Sequence, residues 1–306
     1  MSGAEHIPVL LEEALSYLDA GREGTYIDGT VGLAGHTREI LRRNPKARVV
    51  GFDLDESALL KARESLRPYA DRVELYHADF KVLPDLDIDL GIIRGILLDL
   101  GMSSFQLDSP ERGFSHTLEG PLDMRMDLRN KLTAARILDK YPEARLAQVF
   151  RDYGELKQSG KLASRIASTR RMQKIESTTQ LRAIVEDVCR WFPQKGRTHP
   201  ASQVFQALRI EVNRELDGLD AFLERVVGLA PSGTRLVTIS FHSLEDRIVK
   251  HTFARLARPE NGPGLIDILT KKPVVPTADE CARNSRSRSA KLRAAEKRSY
   301  GSQKIQ

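Results

Sequence analysis

The sequence predicts an α/β fold, with a mainly parallel sheet flanked by helices and a helical domain inserted into it. Over the first hundred residues, short β-rich runs alternate with helical stretches. From about residue 133 to residue 218 the pattern is helical, and a further strand and helix then follow. Alternation at this spacing is typical of βαβ units and a parallel sheet. The simplest arrangement is one α/β domain that is interrupted after its fourth strand.

Four strands and two helices are predicted before the interruption. Runs of β-branched, aromatic and other apolar residues place the strands at 26–28, 49–52, 73–77 and 92–98, and the helices at 36–43 and 57–66. Residues 101–128 contain several Gly, Ser and Pro and are predicted as a long ordered loop, which is uncommon unless the loop has a function. After the interruption, residues 235–241 form a buried strand and residues 244–256 a helix.

The inserted segment is predicted to be helical from its apolar periodicity. One apolar face with i, i+3, i+4, i+7 spacing is formed by Leu181, Ile184, Val185 and Val188. Ser177 with Gln180 provides a capping box at the start of that helix. Trp191 and Phe192 follow the helix, and they either stack on a base or belong to the core.

Composition excludes several classes of protein. The 306 residues are 41% hydrophobic and 29% charged, which is ordinary for a globular protein. No apolar run approaches the roughly 20 residues of a membrane span, and the first residues do not resemble a signal peptide. The two cysteines, Cys189 and Cys281, are too few for a disulfide framework or a Cys-based zinc site. We therefore expect a cytoplasmic protein without a metal site.

Charge is distributed unevenly, and it suggests three regions. An α/β domain, predicted at 1–128 plus 215–282, carries net charges of −9 and −2 in its two parts. The insertion at 129–214 carries +10 and a C-terminal tail at 283–306 carries +7. Basic segments beside an acidic domain suggest a nucleic acid partner, although a solvated helical surface has the same composition. The Arg/Ser-rich segment from Asn284 is expected to order only on a partner.

Candidate ligand-binding residues follow the predicted strands. Glycines in the turn at 28–37 are spaced i, i+3, i+6, whereas a dinucleotide fingerprint requires i, i+2, i+5. Asp53 ends the second strand, where a carboxylate can accept both ribose hydroxyls. Asp79 and Phe80 follow the third strand, and Asp99 ends the fourth. Ligands of open α/β sheets bind beyond these carboxyl ends.

Acidic residues at successive strand ends fit a nucleoside that carries a cationic group, so S-adenosylmethionine is the predicted cofactor. A phosphate-rich nucleotide would need a lysine or arginines there. The Gly-rich turn and the acidic strand ends each have a purely structural explanation when taken alone. A Gly-rich turn is often only a tight turn, and an Asp after a strand is often a helix N-cap.

Several segments together resemble the MraW/RsmH family of bacterial 16S rRNA cytosine-N4 methyltransferases. They follow one another over nearly the whole chain: HIPVL (6–10), DGTVGLAGHT (28–37), LLDLGMSSFQLD (97–108), RGFS (112–115), GPLDMRMD (120–127), SFHSLEDRIVK (240–250) and SRSAKLRAAEK (287–297). The resemblance implies a Rossmann-like class I methyltransferase fold with a helical insertion. It implies 16S rRNA, or the small ribosomal subunit, as the partner, with a cytidine of the decoding region as substrate.

The same resemblance implies a set of cofactor contacts. By the family pattern, S-adenosylmethionine would be bound by Ala34, Gly35, His36, Asp53, Phe80, Asp99 and Gln106. The family usually has Gly-Gly-His-Ser where this chain has Ala34-Gly35-His36-Thr37. Alanine rarely adopts a positive φ, so we expect Ala34 not to adopt one.

The chemistry of N4 methylation leaves the catalytic residues open. C5 methylation of cytosine requires a cysteine thiolate, and neither cysteine follows a predicted strand. N4 methylation needs only a well-positioned amino group and acceptors for its hydrogens. Many amino-methyltransferases have Asp or Asn followed by Pro-Pro-aromatic after the fourth strand, a motif that this chain lacks. The candidates are Asp99, Ser103, Ser104 and His242, the last of which could instead be a hydrogen-bonded residue at a helix start.

Other functions remain as alternatives. A small-molecule methyltransferase would have no need of a basic insertion, and a non-catalytic nucleic-acid-binding module would fail to bind S-adenosylmethionine. Glycine spacing disfavours a dehydrogenase, and the absence of G-x-S-x-G around Ser103 disfavours a serine hydrolase. No membrane partner is expected, and the oligomeric state, monomer or homodimer, stays open.

Overall fold

The computed structural model describes residues 8–191 and 199–299. His6, Ile7 and Phe192, which entered the sequence argument, lie outside these ranges. The chain forms two compact units. The first contains the described residues up to Gly101 and those from Gly218 onward, and the second is Met102–Asp217.

The first unit is a sheet with helices on both faces. Its elements before the second unit are α1 (Leu11–Leu18), β1 (Gly24–Asp28), α2 (Gly35–Arg43), β2 (Ala47–Asp53), α3 (Glu56–Ser65), β3 (Val73–His77) and β4 (Ile93–Asp99). The second unit contributes α4 (Ser104–Asp108), α5 (Ala134–Lys140), α6 (Glu143–Asp152), α7 (Ser159–Met172), α8 (Thr178–Cys189) and α9 (Pro200–Asn213). The first unit then continues with α10 (Leu219–Leu229), β5 (Arg235–Ser240), α11 (Ser243–Ala257), β6 (Ile266–Ile268), α12 (Ala278–Arg283) and β7 (Lys291–Lys297).

The sheet has the strand order β3-β2-β1-β4-β5-β7-β6. Strands β1 to β5 pair in parallel, and β7 pairs antiparallel with both β5 and β6. Strand order reverses between β1 and β4, which is where open α/β sheets bind ligands. The predicted fold class, a Rossmann-like class I methyltransferase sheet with an inserted helical segment, is confirmed by this order.

Alternate side chains of each strand pack into two separate cores. Tyr26 contributes to the core that contains α1 and α2, whereas its neighbour Ile27 contributes to the core that contains α10 and α11. This alternation is what a period of two produces when both faces of a strand are buried. Among the described residues, no helix has the length and apolar character needed to cross a bilayer.

The prediction that the segment from Asn284 orders only on a partner is wrong for residues 284–299, and residues 300–306 lie outside the described ranges. It forms a short 3-10 helix, Ser285–Ser289, and then β7, which lies between β5 and β6. Leu292 and Ala294 are fully buried in one core, and the buried Arg293 donates to Asp246 Oδ1 at 2.7 Å. Packing and a buried ion pair therefore compensate for the basic composition of the segment.

The second unit is helical, as its periodicity indicated. Helix α8 has the predicted capping box. The Ser177 hydroxyl accepts from the backbone N–H of Gln180, and the Gln180 side-chain oxygen accepts from the backbone N–H of Ser177. The unit begins at Met102 and so includes the loop that the sequence assigned to the α/β domain. Over 102–217 there are 20 basic and 15 acidic residues, a net charge of +5. Division of functions between the two units stays a prediction.

Candidate active site

The turn after β1 is organised around the buried carboxyl group of Asp28. Its Oδ2 accepts a hydrogen bond from the Thr37 hydroxyl at 2.6 Å, and its Oδ1 accepts one from the Thr30 N–H at 3.1 Å. Burial raises the pKa of Asp28 to about 6. These bonds join the end of β1 to the first turn of α2, so they fix the backbone on which the glycine-rich turn is built.

Asp53, at the end of β2, is held by backbone groups. Its Oδ2 accepts from the Gly32 N–H at 2.7 Å, and its Oδ1 accepts from the Asp55 N–H at 2.8 Å. Burial raises the pKa of Asp53 to about 6. Each carboxylate oxygen has two lone pairs, so Asp53 keeps the capacity to accept hydrogen bonds from ligand hydroxyls.

Asp99, at the end of β4, has a half-buried carboxyl group with unmet hydrogen-bonding capacity. Its N–H donates to Thr30 Oγ1 at 2.7 Å, and its Oδ2 lies 3.7 Å from His36 Nδ1. Its Oδ1 is buried and has no hydrogen-bond partner among the described residues. Burial, together with the negative charges of Asp28 and Glu245, raises the pKa of Asp99 well above its ordinary value. A buried oxygen without a partner requires an explanation, and a bound ligand provides one.

The start of α2 contains one departure from expectation. Ala34 has φ +64° and ψ +28°, the left-handed conformation, so the prediction that it avoids a positive φ is wrong. A Cβ on the adjacent Gly35 would overlap the ring of Pro8, so only glycine fits there. His36 is buried, with Nε2 at 3.2 Å from the Val9 carbonyl oxygen.

Phe80 and Asp79 lie after β3, where the sequence placed them. Phe80 is buried, and its ring meets that of Phe222 edge to face with a centroid distance of 4.9 Å. Asp79 caps a short 3-10 helix by accepting from the Lys81 N–H at 3.0 Å. Most of the Phe80 surface is therefore covered by the protein itself, and only a small part remains for a ligand.

His242 is the N-cap residue of α11. Its Nδ1 accepts from the Glu245 N–H at 3.4 Å, and Glu245 Oε2 accepts from the N–H of Phe241 at 2.8 Å. The Glu245 side chain is buried. This arrangement corresponds to the structural alternative that the sequence left open for His242, because the ring nitrogen that faces the helix is engaged in capping.

Ser103, Ser104 and Gln106 belong to the second unit. Ser103 caps α4 by accepting from the Gln106 N–H at 3.3 Å, and Gln106 Oε1 accepts from the Ser103 N–H at 3.1 Å. The Gln106 side chain is buried, and Ser104 is the first residue of the helix. Their roles in cofactor binding and catalysis stay predictions.

The turn after β1 thus joins three predicted strand ends, because its backbone donates to Asp28 and Asp53, and the Thr30 hydroxyl accepts from the N–H of Asp99. Sequence reasoning missed Glu245, which is, after Asp28, the second carboxylate whose charge acts on Asp99. A signal for it was present, because a polar residue followed three positions later by Glu is a helix start, and this helix directly follows a strand.

Comparison with known proteins gives a consistent result. The family model described as the MraW methylase family matches residues 3–298. Ribosomal RNA small subunit methyltransferase H of Carboxydothermus hydrogenoformans is 43% identical over 310 residues, covering 96% of this chain and 98% of that protein. The protein of the same name from Symbiobacterium thermophilum is 44% identical over 310 residues, covering 97% and 98%.

Among solved structures, an rRNA methylase from Streptococcus thermophilus is similar with a TM-score of 0.44 and 12% identity, covering 96% of this chain and 99% of that one. The family match extends over nearly all of the chain, and both curated relatives are matched over nearly their full length. The chain therefore belongs to the MraW methylase family.

Proposed function

We propose that the chain transfers a methyl group from S-adenosylmethionine to the exocyclic N4 of a cytidine in the decoding, P-site region of 16S rRNA. Support for ribosomal RNA as the substrate comes from the family and from the names of the curated relatives. The observation that carries the chemistry is the buried Asp99 Oδ1, which has no partner among the described residues and lies at the switch point of the sheet.

The first unit supplies most of the proposed cofactor contacts. Asp53, fixed by two backbone N–H groups, accepts the ribose hydroxyls. The turn at Ala34, Gly35 and His36 brings backbone close to the cofactor, and Phe80 offers a partly covered aromatic edge. Gln106, in the second unit, stays a candidate on the family pattern alone. When bound, S-adenosylmethionine supplies an electrophilic methyl group.

Asp99 is the favoured acceptor for the hydrogens of the cytosine amino group. The N4 lone pair is delocalised into the ring, so a hydrogen-bond acceptor that localises it promotes attack. An ionised Asp99 would do this with its Oδ1. Ser103 and Ser104 stay secondary candidates, and His242 is assigned a positioning role because its Nδ1 caps α11.

The positions of the cysteines support N4 over C5 chemistry. Cys189 ends α8 and Cys281 lies in α12, so neither follows a strand of the parallel sheet. Basic residues of the inserted unit are proposed to hold the RNA through phosphate contacts, while the target cytidine is turned out of its stack at a cost of a few kcal/mol.

A direct test is to incubate the purified protein with labelled S-adenosylmethionine and 30S particles from a strain that lacks this methylation. We expect labelled N4-methylcytidine, identified by chromatography and fragmentation of the nucleosides. Asp99→Asn is the matched variant. It keeps one acceptor oxygen for a cofactor contact, so it should still bind the cofactor but lose most of the transfer rate. A C5-methylated product, or no incorporation by the wild-type protein, would reject the proposal.

A further inference from the structure

The second unit contains a cavity of about 200 Å³ that no step of the proposed methyl transfer uses. It lies between the turn before α7, the end of α8 and the start of α9. Its walls include Lys157, Gln158, Cys189, Trp191 and Gln203. Pockets for drug-sized ligands measure about 300–1,000 Å³, so this cavity has room for a single ring system rather than for a whole nucleotide.

One wall of the cavity is the indole of Trp191. The ring is half-buried and meets the His199 ring edge to face with a centroid distance of 5.0 Å. Its position is thus set by a neighbour, although it is not part of the closed core of the unit. A fixed, partly exposed indole is the type of surface on which proteins stack unpaired bases.

The other walls offer hydrogen-bonding groups. The side chains of Gln158 and Gln203 make no hydrogen bond to any residue in the described ranges. Free amides can pair with the edge of a base, because each has one acceptor and two donors. Lys157 is exposed and forms no ion pair within the described part of the chain, so it is available to a phosphate.

We propose that this cavity binds one unstacked base of the RNA strand that carries the target cytidine. The proposal rests on RNA being the substrate, as argued above. Trp191 stacks on the base, Gln158 and Gln203 contact its polar edge, and Lys157 contacts an adjoining phosphate. A base held in this way anchors the strand independently of the residues that carry out methyl transfer.

The chain offers a built-in probe, because Trp191 is its only tryptophan. Titration of the full-length protein with a single-stranded RNA oligonucleotide of the decoding-region sequence should quench the tryptophan emission to saturation. Binding is measured in parallel by the anisotropy of end-labelled RNA. Binding without any change in emission would refute the proposal, and so would equal quenching by free nucleosides or S-adenosylmethionine, which would identify a small-molecule site.

Substitutions separate stacking from folding. Trp191→Ala should weaken RNA binding by about 5- to 150-fold, the range found when a stacking residue is truncated. Trp191→Phe keeps an aromatic face and should stay close to the wild-type affinity. Equal affinities of these two variants would contradict stacking. Gln203→Leu tests the polar edge separately, and it should weaken binding while leaving quenching at saturation.

The rate at which Cys189 is alkylated provides a second readout, in a protein that keeps Trp191. In Cys281→Ser, Cys189 is the only thiol, and it lines the cavity. RNA should slow its alkylation, and an unchanged rate at saturating RNA would count against the proposal even if Trp191→Ala failed to fold. Methylation of 30S particles by the wild-type protein distinguishes the two ideas: methylation without quenching refutes only the cavity, and quenching without methylation refutes only the proposed activity.

Discussion

The Thr37 hydroxyl donates a 2.6 Å hydrogen bond to the buried carboxyl group of Asp28. Thr37→Val should lower the free energy of unfolding by about 1–3 kcal/mol, because a buried acceptor then loses its donor. Thr37→Ser retains the hydroxyl and should lose much less. Urea denaturation at pH 8 measures both variants, and a loss for Thr37→Ser as large as that for Thr37→Val would contradict a dominant role of the hydroxyl.

Asp28 should make stability depend on pH in an unusual direction. Its pKa is about 6 in the folded chain against an ordinary value of 3.8, so the folded state binds the proton more tightly. Stability contributed by this group is therefore present at low pH and is lost as the pH rises through about 6. Relative to Asp28→Asn, the wild-type protein should gain roughly 2 kcal/mol between pH 7 and pH 4. Urea titrations at both pH values test this, and a constant difference between the proteins would contradict it.

Ala34 in its left-handed conformation should tolerate glycine but not a branched side chain. Ala34→Gly removes strain of about 1–2 kcal/mol but also removes a buried methyl group worth about 0.8 kcal/mol, so the net change should be below about 1 kcal/mol. Ala34→Val should cost more than about 2 kcal/mol, since a β-branched residue is a genuine outlier at positive φ. Thermal melting compares the two, and a stable valine variant would be incompatible with this backbone conformation.

Asp53→Asn should weaken S-adenosylmethionine binding by about 1.5–3 kcal/mol, because the ribose hydroxyls lose a charged acceptor. Asparagine is preferred to alanine here, since it keeps an oxygen for one of the two backbone donors, Gly32 and Asp55. Calorimetry at pH 8, above the pKa of about 6, gives the affinity. Asp71→Asn, on an exposed turn, is the control. Equal affinity of a folded Asp53→Asn protein would remove Asp53 from the site.

Glu245→Gln should shift the pH–rate profile of methylation. The charge of Glu245 helps to raise the pKa of Asp99, after burial and together with Asp28. Removing that charge lowers the Asp99 pKa, so a reaction that needs ionised Asp99 should start at lower pH. Glutamine can still accept from the Phe241 N–H, which preserves the cap. The control is Glu260→Gln, at an exposed position, and a profile that stays in place would mean that Asp99 does not need to ionise.

The strands and helices that position the site could be predicted from the sequence because their signals are local. Strand β3 was placed at its observed bounds, and the other parallel strands began or ended within a few residues of the prediction. Their apolar runs are buried on both faces, so each run is recognisable without knowledge of its neighbours. The acidic strand ends Asp53 and Asp99 follow directly from those runs.

Strand β7 could not be predicted in this way. Its sequence, KLRAAEK, is basic and rich in alanine, and it becomes a strand because β5 and β6 present unpaired edges on either side of it. Likewise, the partner of Arg293 lies 47 residues away in Asp246. Neither relationship is visible in a short window. The positive φ of Ala34 was missed for a different reason, because alanine rarely adopts that conformation.

The central place of β7 also constrains the order in which the molecule can be completed. Until synthesis has passed Lys297, β5 has an open edge, and β6 has no neighbour to pair with. Exposed edges of this kind recruit other chains, so the nascent protein has a period in which it is vulnerable to aggregation. A chain truncated before Lys291 would keep this open edge permanently. The strands that end in Asp53 and Asp99 would be present, but β7, which lies between β5 and β6, would be missing.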